Sequence, residues 1–417
     1  MKILHITPLY WPWERGAERH VRQIAERLAA RGHEVMVLTT NVANEPDLGR
    51  CVEGSLPGRQ QINGVTISRV PVAPGTAAAA LHGWARLRGG YRSLAALFSP
   101  DGLEMLLGTP QTLDLFRSVL RSDADVVVTW NWHWAPAYHA YLARRVRRFT
   151  MVGVPLFHTA EPWVHRPIYD RMIRACDGFI VNTEDETDFI HSRVPAARGI
   201  TAVGPGVDPA TFALRNGAKF RARYRLGQDP LVGFIGNIGT KKGAHTLLEA
   251  MSIVWKWNKD VRVVLVGYPA FNFAKIEQIY RDLPASERER VSLLPSLPED
   301  EKVNLCDALD VFALPSTSES FGIAYLEAWL CRKPVIGARI GSTAYVIEDG
   351  VDGLLVKPEA PDDLAKAICA LLGDPARRAQ MGERGYAKTV RDFTWQRVVE
   401  RFERACLDIV AAKNSRV

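Results

Sequence analysis

Several features that mark other classes of protein are missing from this sequence of 417 residues. Its six cysteines are scattered, with no C-x-x-C pair and no histidine at metal-ligand spacing, which excludes a structural zinc site. No run of residues approaches the roughly 18 apolar positions of a membrane-spanning helix. The first residues, MKILHITPLYWPW, predict a β-strand and lack the features of a signal peptide. We therefore expect a cytoplasmic protein with buried free thiols.

The net charge of the chain indicates which kinds of binding partner suit it. Lys plus Arg number 53 against 46 for Asp plus Glu, a formal net charge of +7. Such an excess suits an anionic small ligand or an anionic membrane surface better than a nucleic acid, for which no motif is present. Hydrophobic residues make up 47% and charged residues 24%, which excludes wholesale disorder.

Short apolar runs alternate with amphipathic helical stretches along the chain, which is the rhythm of parallel βαβ units. The pattern predicts an α/β fold class with two Rossmann-like, doubly wound domains facing a central cleft. We expect an N-terminal acceptor-binding domain over 1–205, a donor-binding domain over 206–394, and a C-terminal helix over 395–417 that packs back toward the N-terminal domain. The predicted strands are residues 2–7, 34–40, 125–130, 151–157, 178–182, 231–235, 262–266, 291–294, 311–314 and 334–337.

The strongest local motif is STSESFGIAYLEAWL at residues 316–330, directly after the predicted strand VFALP. A helix that begins at Phe321 places the amides of Phe321 and Gly322 among its first unpaired N–H groups, where a phosphate binds well. Glu319 precedes the helix, and Glu327 lies about 12 Å further along at 1.5 Å per residue. Two carboxylates at that separation suit the two ends of an extended ligand, whereas the alternative is an ordinary helix with solvated glutamates.

The pattern E-x-F-G-(x)4-E, followed by KPVIG, resembles the family 4 retaining glycosyltransferases of the GT-B fold, and locally the bacterial phosphatidylinositol mannosyltransferases. The resemblance implies that Glu319 contacts the hydroxyls of the donor sugar and that the Phe321 and Gly322 amides hold the distal phosphate. It also implies that Glu327 binds the ribose. Ser320 belongs to the same predicted donor site.

Residues 233–243, GFIGNIGTKKG, are similar to the family's G-R-L-x-x-x-K-G segment, whose Arg and Lys neutralise the diphosphate. Lys242 is retained, Asn237 stands at the Arg position, and Lys241 is a compensating cation beside them. The same glycines also resemble a dehydrogenase fingerprint. The next strand ends in Gly267 without the expected acidic residue, and a nicotinamide-dependent oxidoreductase stays as an alternative.

The N-terminal half contains candidate residues for binding both the donor and the acceptor. WERGAERHV resembles the family's G-G-x-E loop, with Gly16 kept and Arg15 in place of the first glycine. His158, just after a strand, matches a family histidine that meets the transferred sugar. We assign His133 and Trp132 to the acceptor side because aromatic faces suit sugar rings, and packing is the alternative for this tryptophan-rich cluster.

Four positions depart from the family pattern, namely Arg15, Asn237, Arg332 where Gly is common, and Tyr345 where Glu is common. They leave the donor preference open. They also keep as an alternative a catalytically weak, nucleotide-sugar-binding pseudoenzyme or a partner subunit of another glycosyltransferase.

Two basic stretches suit an anionic membrane surface. Residues 77–98 combine Leu, Trp and Tyr with arginines, and residues 143–149 read ARRVRRF. Such segments favour peripheral attachment to the inner face of the membrane, although solvated helix faces explain them equally well.

The resemblance therefore predicts a retaining hexosyltransferase with His158, Glu319 and Lys242 as catalytic residues. It would use a GDP- or UDP-sugar, with a lean toward GDP-mannose, and a glycan or lipid-linked hydroxyl acceptor in cell-envelope polysaccharide or glycolipid synthesis. We expect no cofactor, and no metal because no D-x-D pair follows a predicted strand.

Overall fold

The computed structural model describes residues 1–13, 15–49, 52, 54–72 and 113–415. The chain divides into two units. The first comprises Met1–Phe157, Glu161–Gly204 and Val398–Val417, and the second comprises His158–Ala160 and Pro205–Arg397. The basic segment 77–98 lies outside the described residues. None of the helices in the described ranges is long and apolar enough to cross a bilayer.

The first unit is built on an eight-stranded sheet in the order β3-β4-β2-β1-β5-β6-β7-β8. Every neighbouring pair is parallel except the β3–β4 hairpin, which is antiparallel. The central strands are continuous apolar runs because a parallel sheet is covered on both faces. The strands are β1 (Lys2–Ile6), β2 (Glu34–Thr40), β3 (Arg59–Ile62), β4 (Val65–Val70), β5 (Val126–Trp130), β6 (Thr150–Val154), β7 (Gly178–Val181) and β8 (Ile200–Ala202).

Helices connect these strands, and their apolar stripes are buried. In α1 the predicted stripe of Val21, Ile24, Ala25 and Leu28 is buried, because these positions recur on one side of the helix. The helices that the structure describes in this unit are α1 (Gly16–Ala30), α2 (Glu45–Gly49), α3 (Leu113–Arg121), α4 (Ala135–Val146), α5 (Pro167–Ala175) and α6 (Glu184–Arg193).

The second unit is a six-stranded, wholly parallel sheet in the order β11-β10-β9-β12-β13-β14. Its strands are β9 (Leu231–Ile235), β10 (Arg262–Val266), β11 (Val291–Leu294), β12 (Val311–Leu314), β13 (Val335–Ala338) and β14 (Gly353–Val356). Its helices are α7 (Gly217–Arg223), α8 (Ala244–Trp257), α9 (Phe273–Asp282), α10 (Ala285–Arg288), α11 (Glu299–Ala308), α12 (Ile323–Leu330), α13 (Gly341–Val346), α14 (Pro361–Gly373) and α15 (Pro375–Asp392). Parallel strands joined by helices in both units confirm the predicted α/β class.

The last helix, α16 (Trp395–Asn414), belongs to the first unit from Val398 onward. Its Phe402 ring stacks on Trp130, with centroids 5.7 Å apart and planes at 6°. Ile409 packs against Gly178, where a Cβ would lie 2.5 Å from the Ile409 Cδ1 atom. The chain's final apolar stripe therefore completes the core under β5 and β7.

One predicted strand boundary is corrected, and one departure from the family pattern is explained. The strand predicted over 151–157 ends at Val154, because Leu156 adopts a left-handed backbone with φ of 55°. Arg332, one of the four departures from the family pattern, also has positive φ, 54°, which explains why glycine suits this position. Its guanidinium lies 3.8 Å from the Tyr386 ring centroid, and its Nε donates to Glu383 at 2.6 Å. Arg332 therefore packs against α15.

The α12–α15 packing yields a stability prediction. A Cβ at Gly382 would lie 1.9 Å from the Arg332 carbonyl oxygen, so Gly382→Ala must push backbone apart. We expect a loss of about 1–3 kcal/mol in unfolding free energy, as for other overpacked sites. Gly373→Ala is the matched control, since its nearest neighbour would be a Trp257 ring atom at 3.9 Å. Equal urea midpoints for the two variants would contradict the close approach.

Candidate active site

The loop between β12 and α12 is shaped by one glycine. Gly322 is the N-cap of α12 with φ of 90°, and a Cβ there would lie 2.4 Å from the Tyr325 ring. The helix thus begins at Ile323, two residues later than predicted, because the left-handed Gly322 interrupts helical geometry. Phe321 lies before the cap, with its ring buried against Phe393 at 5.3 Å. The expectation that the Phe321 amide is a first-turn helix N–H is therefore wrong.

Glu319 and Lys242 form the central contact of the second unit. The Lys242 Nζ donates to both Glu319 carboxylate oxygens at 2.7 Å. The carboxylate side chain is 8% exposed and the lysine side chain 22%. The Ser342 hydroxyl donates to the Glu319 carbonyl at 2.6 Å, which fixes the backbone of the loop. Two predicted catalytic residues are thereby brought together.

His158 reaches the same loop. Its Nδ1 lies 2.8 Å from the Ser318 hydroxyl, and both residues belong to the second unit. His158 therefore contacts the residue that directly precedes Glu319 in the loop. Ser318 was not predicted, although its place next to Glu319 in the motif is a signal that could have found it.

Glu327 forms a second lysine–carboxylate pair. Its carboxylate accepts from the Lys302 Nζ at 2.6 Å, and the side chain is 8% exposed. Lys302 also lies 3.1 Å from Glu299 on α11. A buried carboxylate needs such a partner to stay ionised. Sequence reasoning missed Lys302, since nothing in its own helix marks it as a partner of α12.

The glycine-rich segment after β9 packs backbone against backbone. A Cβ at Gly267 would lie 1.8 Å from the Gly236 carbonyl oxygen, and one at Gly239 would lie 2.6 Å from the Phe271 carbonyl oxygen. The contacts with the loop after β10 thus account for these glycines without a dinucleotide. Asn237 and Lys241 are exposed on this segment. The Lys241 Nζ lies 5.9 Å from the Phe271 ring centroid.

Backbone contacts join this segment to the Glu319 loop. The Lys241 carbonyl accepts from the Thr317 N–H at 2.9 Å. Lys242 ends a 3-10 turn, Thr240–Lys242, and is followed by Gly243 with φ of 76°. A Cβ at Gly243 would lie 2.1 Å from the Pro315 carbonyl oxygen. Ser320 is half-buried in the same loop. The lysine turn and the Glu319 loop are thus one connected structure.

The first unit holds the remaining predicted residues. Gly16 starts α1 with open space around it, since a Cβ there would meet nothing within 4 Å. Arg15 pairs with Glu45 at 3.5 Å and lies 4.8 Å from the Trp13 ring centroid. Burial raises the pKa of Glu18, in the first turn of α1, to about 7. Glu18 stands at the glutamate position of the G-G-x-E pattern, although the sequence analysis assigned it no role.

The acceptor contact predicted for Trp132 is contradicted by its burial. Trp132 is 0% exposed, its Nε1 donates to the Thr129 hydroxyl at 3.0 Å, and its ring packs on Phe157. A ring without an accessible face cannot meet a sugar. His133 is exposed, and its ring lies 4.7 Å from Trp163.

Comparison with known proteins identifies the family of the chain. The model of Glycosyltransferase Family 4 matches residues 15–211, and the model of Glycosyl transferases group 1 matches residues 218–388. A D-inositol 3-phosphate glycosyltransferase from Stackebrandtia nassauensis is 28% identical over 96% of this chain and 89% of its own length. One from Segniliparus rotundus is 33% identical over 59% of each chain.

Solved structures share the fold. Anabaena HepE, in complex with UDP and glucose, has a TM-score of 0.72 at 18% identity, covering 98% of this chain and 100% of its own. Sucrose-phosphate synthase from Thermosynechococcus elongatus has a TM-score of 0.73 at 19% identity over 99% of both chains. The two Rossmann-like units and their likeness to these structures place the chain in the GT-B fold class. The chain belongs to glycosyltransferase family 4, and it is a retaining glycosyltransferase that uses a nucleotide sugar.

The lysine–glutamate contact yields the second prediction. Lys242→Met leaves the nearly buried Glu319 carboxylate without its charged donor, which we expect to lower the stability of the ligand-free protein by about 1–3 kcal/mol. Thermal unfolding of Lys242→Met and of the exposed neighbour Lys241→Met measures the difference. An equal loss of melting temperature in both variants would show that the ion pair contributes nothing specific.

Proposed function

We propose that the protein transfers a hexose from a UDP- or GDP-sugar to a hydroxyl group, with the donor held in the second unit. The observation that carries this proposal is the convergence of His158, Ser318, Glu319 and Lys242 beside the loop after β12. In this cluster the Lys242 ammonium group is the cation for the diphosphate. The Glu319 carboxylate and the His158 imidazole are the groups for the sugar.

The main requirement of the reaction is to stabilise the leaving diphosphate. The bond between the sugar C1 and the diphosphate oxygen breaks, a bond from C1 to the acceptor oxygen forms on the same face, and the acceptor proton passes to the leaving diphosphate. Stabilising the charge that develops on that diphosphate is the largest contribution an enzyme makes here. Lys242 and the N–H groups around Gly322 supply it, while Glu319 and His158 hold the sugar hydroxyls.

Donor binding changes the partner of Lys242. In the structure its ammonium group is shared between the two Glu319 oxygens. A diphosphate near Lys242 attracts the ammonium group, and the Glu319 carboxylate then accepts hydrogen bonds from sugar hydroxyls. Glu327, oriented by Lys302, binds the ribose diol at the other end of the donor.

The relatives guide the choice of donor and acceptor. HepE was solved with UDP and glucose, and also with UDP-glucose, so UDP-sugars are tested before GDP-mannose. The curated relatives are named D-inositol 3-phosphate glycosyltransferases, which favours a phosphorylated cyclitol among the acceptors. WaaG, another structural neighbour, is involved in lipopolysaccharide biosynthesis, which supports the cell envelope as the setting.

Attachment to a membrane stays part of this proposal. Arg145 and Arg148 are exposed at the end of α4, together with Val146 at 70% exposure. Cationic side chains around an apolar residue suit an anionic lipid surface at the cytoplasmic face of the membrane. A lipid-linked acceptor would then lie close to the enzyme.

A catalytically weak glycosyltransferase is the second candidate, and Asn237 favours it. Asn237 cannot replace the charge of the family's arginine at this exposed position. Such an enzyme would bind a nucleotide sugar but turn it over slowly.

Donor turnover decides between the two candidates. We expect the protein to release UDP or GDP from one sugar nucleotide, with and without EDTA, and Glu319→Ala to lower the rate by at least about 100-fold, as for other groups aimed at the transition state. Nucleotide release and calorimetric binding are measured with a panel of donors and acceptors. Glu289→Gln, an exposed residue of the same unit, is the control. Tight donor binding with only trace turnover under every condition would favour the catalytically weak enzyme.

The ion pair between Lys302 and Glu327 is tested by measuring the affinity for UDP or GDP. Lys302→Met releases the carboxylate of Glu327, so we expect binding of UDP or GDP to weaken about tenfold, equivalent to about 1.4 kcal/mol. Isothermal calorimetry compares it with Lys366→Met, an exposed lysine on α14. Unchanged nucleotide affinity would refute the ribose-binding role of Glu327.

A further inference from the structure

Glu186 is a buried carboxylate that the proposed mechanism does not use. It is the third residue of α6 and is 0% exposed. Its Oε1 accepts from the Phe157 N–H at 2.5 Å, and its Oε2 accepts from the Asn182 N–H at 2.7 Å. One carboxylate thus joins the chain that follows β6 to the chain that follows β7.

These contacts differ from ordinary helix capping. A glutamate at the third helical position after a threonine N-cap normally reaches back to the N–H of that cap. Here Thr183 is the N-cap, but Glu186 contacts the residue before it and a residue from the neighbouring strand's loop. The carboxylate is therefore used to hold the loop after β6 and does more than begin a helix.

The loop that Glu186 holds contains a residue with a strained backbone. Leu156 has φ of 55°, and a non-glycine residue in this region costs about 1 kcal/mol. The next residue, Phe157, has its ring buried against Trp132 and Phe189. Its N–H and its ring are thus both fixed, which determines the direction in which the chain continues to His158.

Burial opposes the ionisation of the Glu186 carboxyl group, and hydrogen bonds favour it. Removal from water raises the pKa of Glu186 to about 8, and the two backbone N–H donors oppose the rise. Such a group is expensive to keep in the core unless its hydrogen bonds are needed. A neutral glutamine of nearly the same shape retains only one acceptor oxygen.

We propose that Glu186 is a positioning residue. It holds the backbone of Phe157, the residue before His158, so that the imidazole meets the Ser318 hydroxyl and the transferred sugar. This inference rests on the proposed role of His158. It assigns no direct contact between Glu186 and the substrate. The effect of Glu186 on turnover must therefore pass through His158.

The kinetic test is a double-mutant cycle in the full-length protein. We expect Glu186→Gln to lower kcat by about 10- to 100-fold, the loss typical of a misplacement of about 1 Å. The affinity for UDP or GDP should change less than about twofold, since His158 contacts the sugar. In the His158→Ala background, Glu186→Gln should cause no further loss, because the two residues act as one unit. Glu184→Gln, exposed on the first turn of the same helix, is the matched control.

A second measurement separates this inference from the proposed function. With ¹³C-labelled histidine, the His158 imidazole resonance is identified by its loss in His158→Ala. Glu186→Gln should shift that resonance and speed hydrogen exchange at the Phe157 amide, even if no donor is turned over. An unmoved His158 resonance, or equal losses of kcat in the presence and absence of His158, would overturn the positioning role. Turnover missing in the wild type, with the shift present, would overturn only the proposed function.

Discussion

Lys242 and Glu319 lie 77 positions apart in the chain, and the ion pair between them joins two segments of the second unit. One segment is the turn after β9, and the other is the loop after β12. A carboxylate that is nearly buried is stable only with a charged, hydrogen-bonded partner. In the proposed reaction the lysine of this pair is also the cation that attracts the diphosphate. Under that proposal, folding stability and donor affinity depend on the same two charges.

The surrounding backbone explains why these loops tolerate few side chains. Gly243 lies against the Pro315 carbonyl, Gly267 against the Gly236 carbonyl, and Gly322 against the Tyr325 ring. Each glycine lets two chain segments approach more closely than any Cβ would allow. The same glycines also resemble nucleotide-binding fingerprints of other folds. Whether such a glycine serves packing or ligand binding can be decided only when the neighbouring loop is known, because close packing alone is sufficient to require it.

Two errors of sequence interpretation have different physical causes. Trp132 and His133 are adjacent, yet Trp132 is wholly buried and His133 is exposed. Adjacent residues at the end of a strand point in different directions, and the aromatic content of a segment does not say which ring faces the core. Phe321 was expected in a helix that begins two residues later, because helix boundaries depend on a cap whose backbone dihedrals sequence patterns resolve poorly.

The sequence by itself determined the α/β class, the places of most strands and helices, and the motif that contains Glu319, Gly322 and Glu327. It could do so because apolar periodicity and glycine position are local properties of the chain. Only the tertiary structure decided the partners, namely Lys302 for Glu327, Ser318 for His158, and the Phe157 amide for Glu186. Such pairs join residues from different elements, and their choice depends on which charges and N–H groups folding removes from water together.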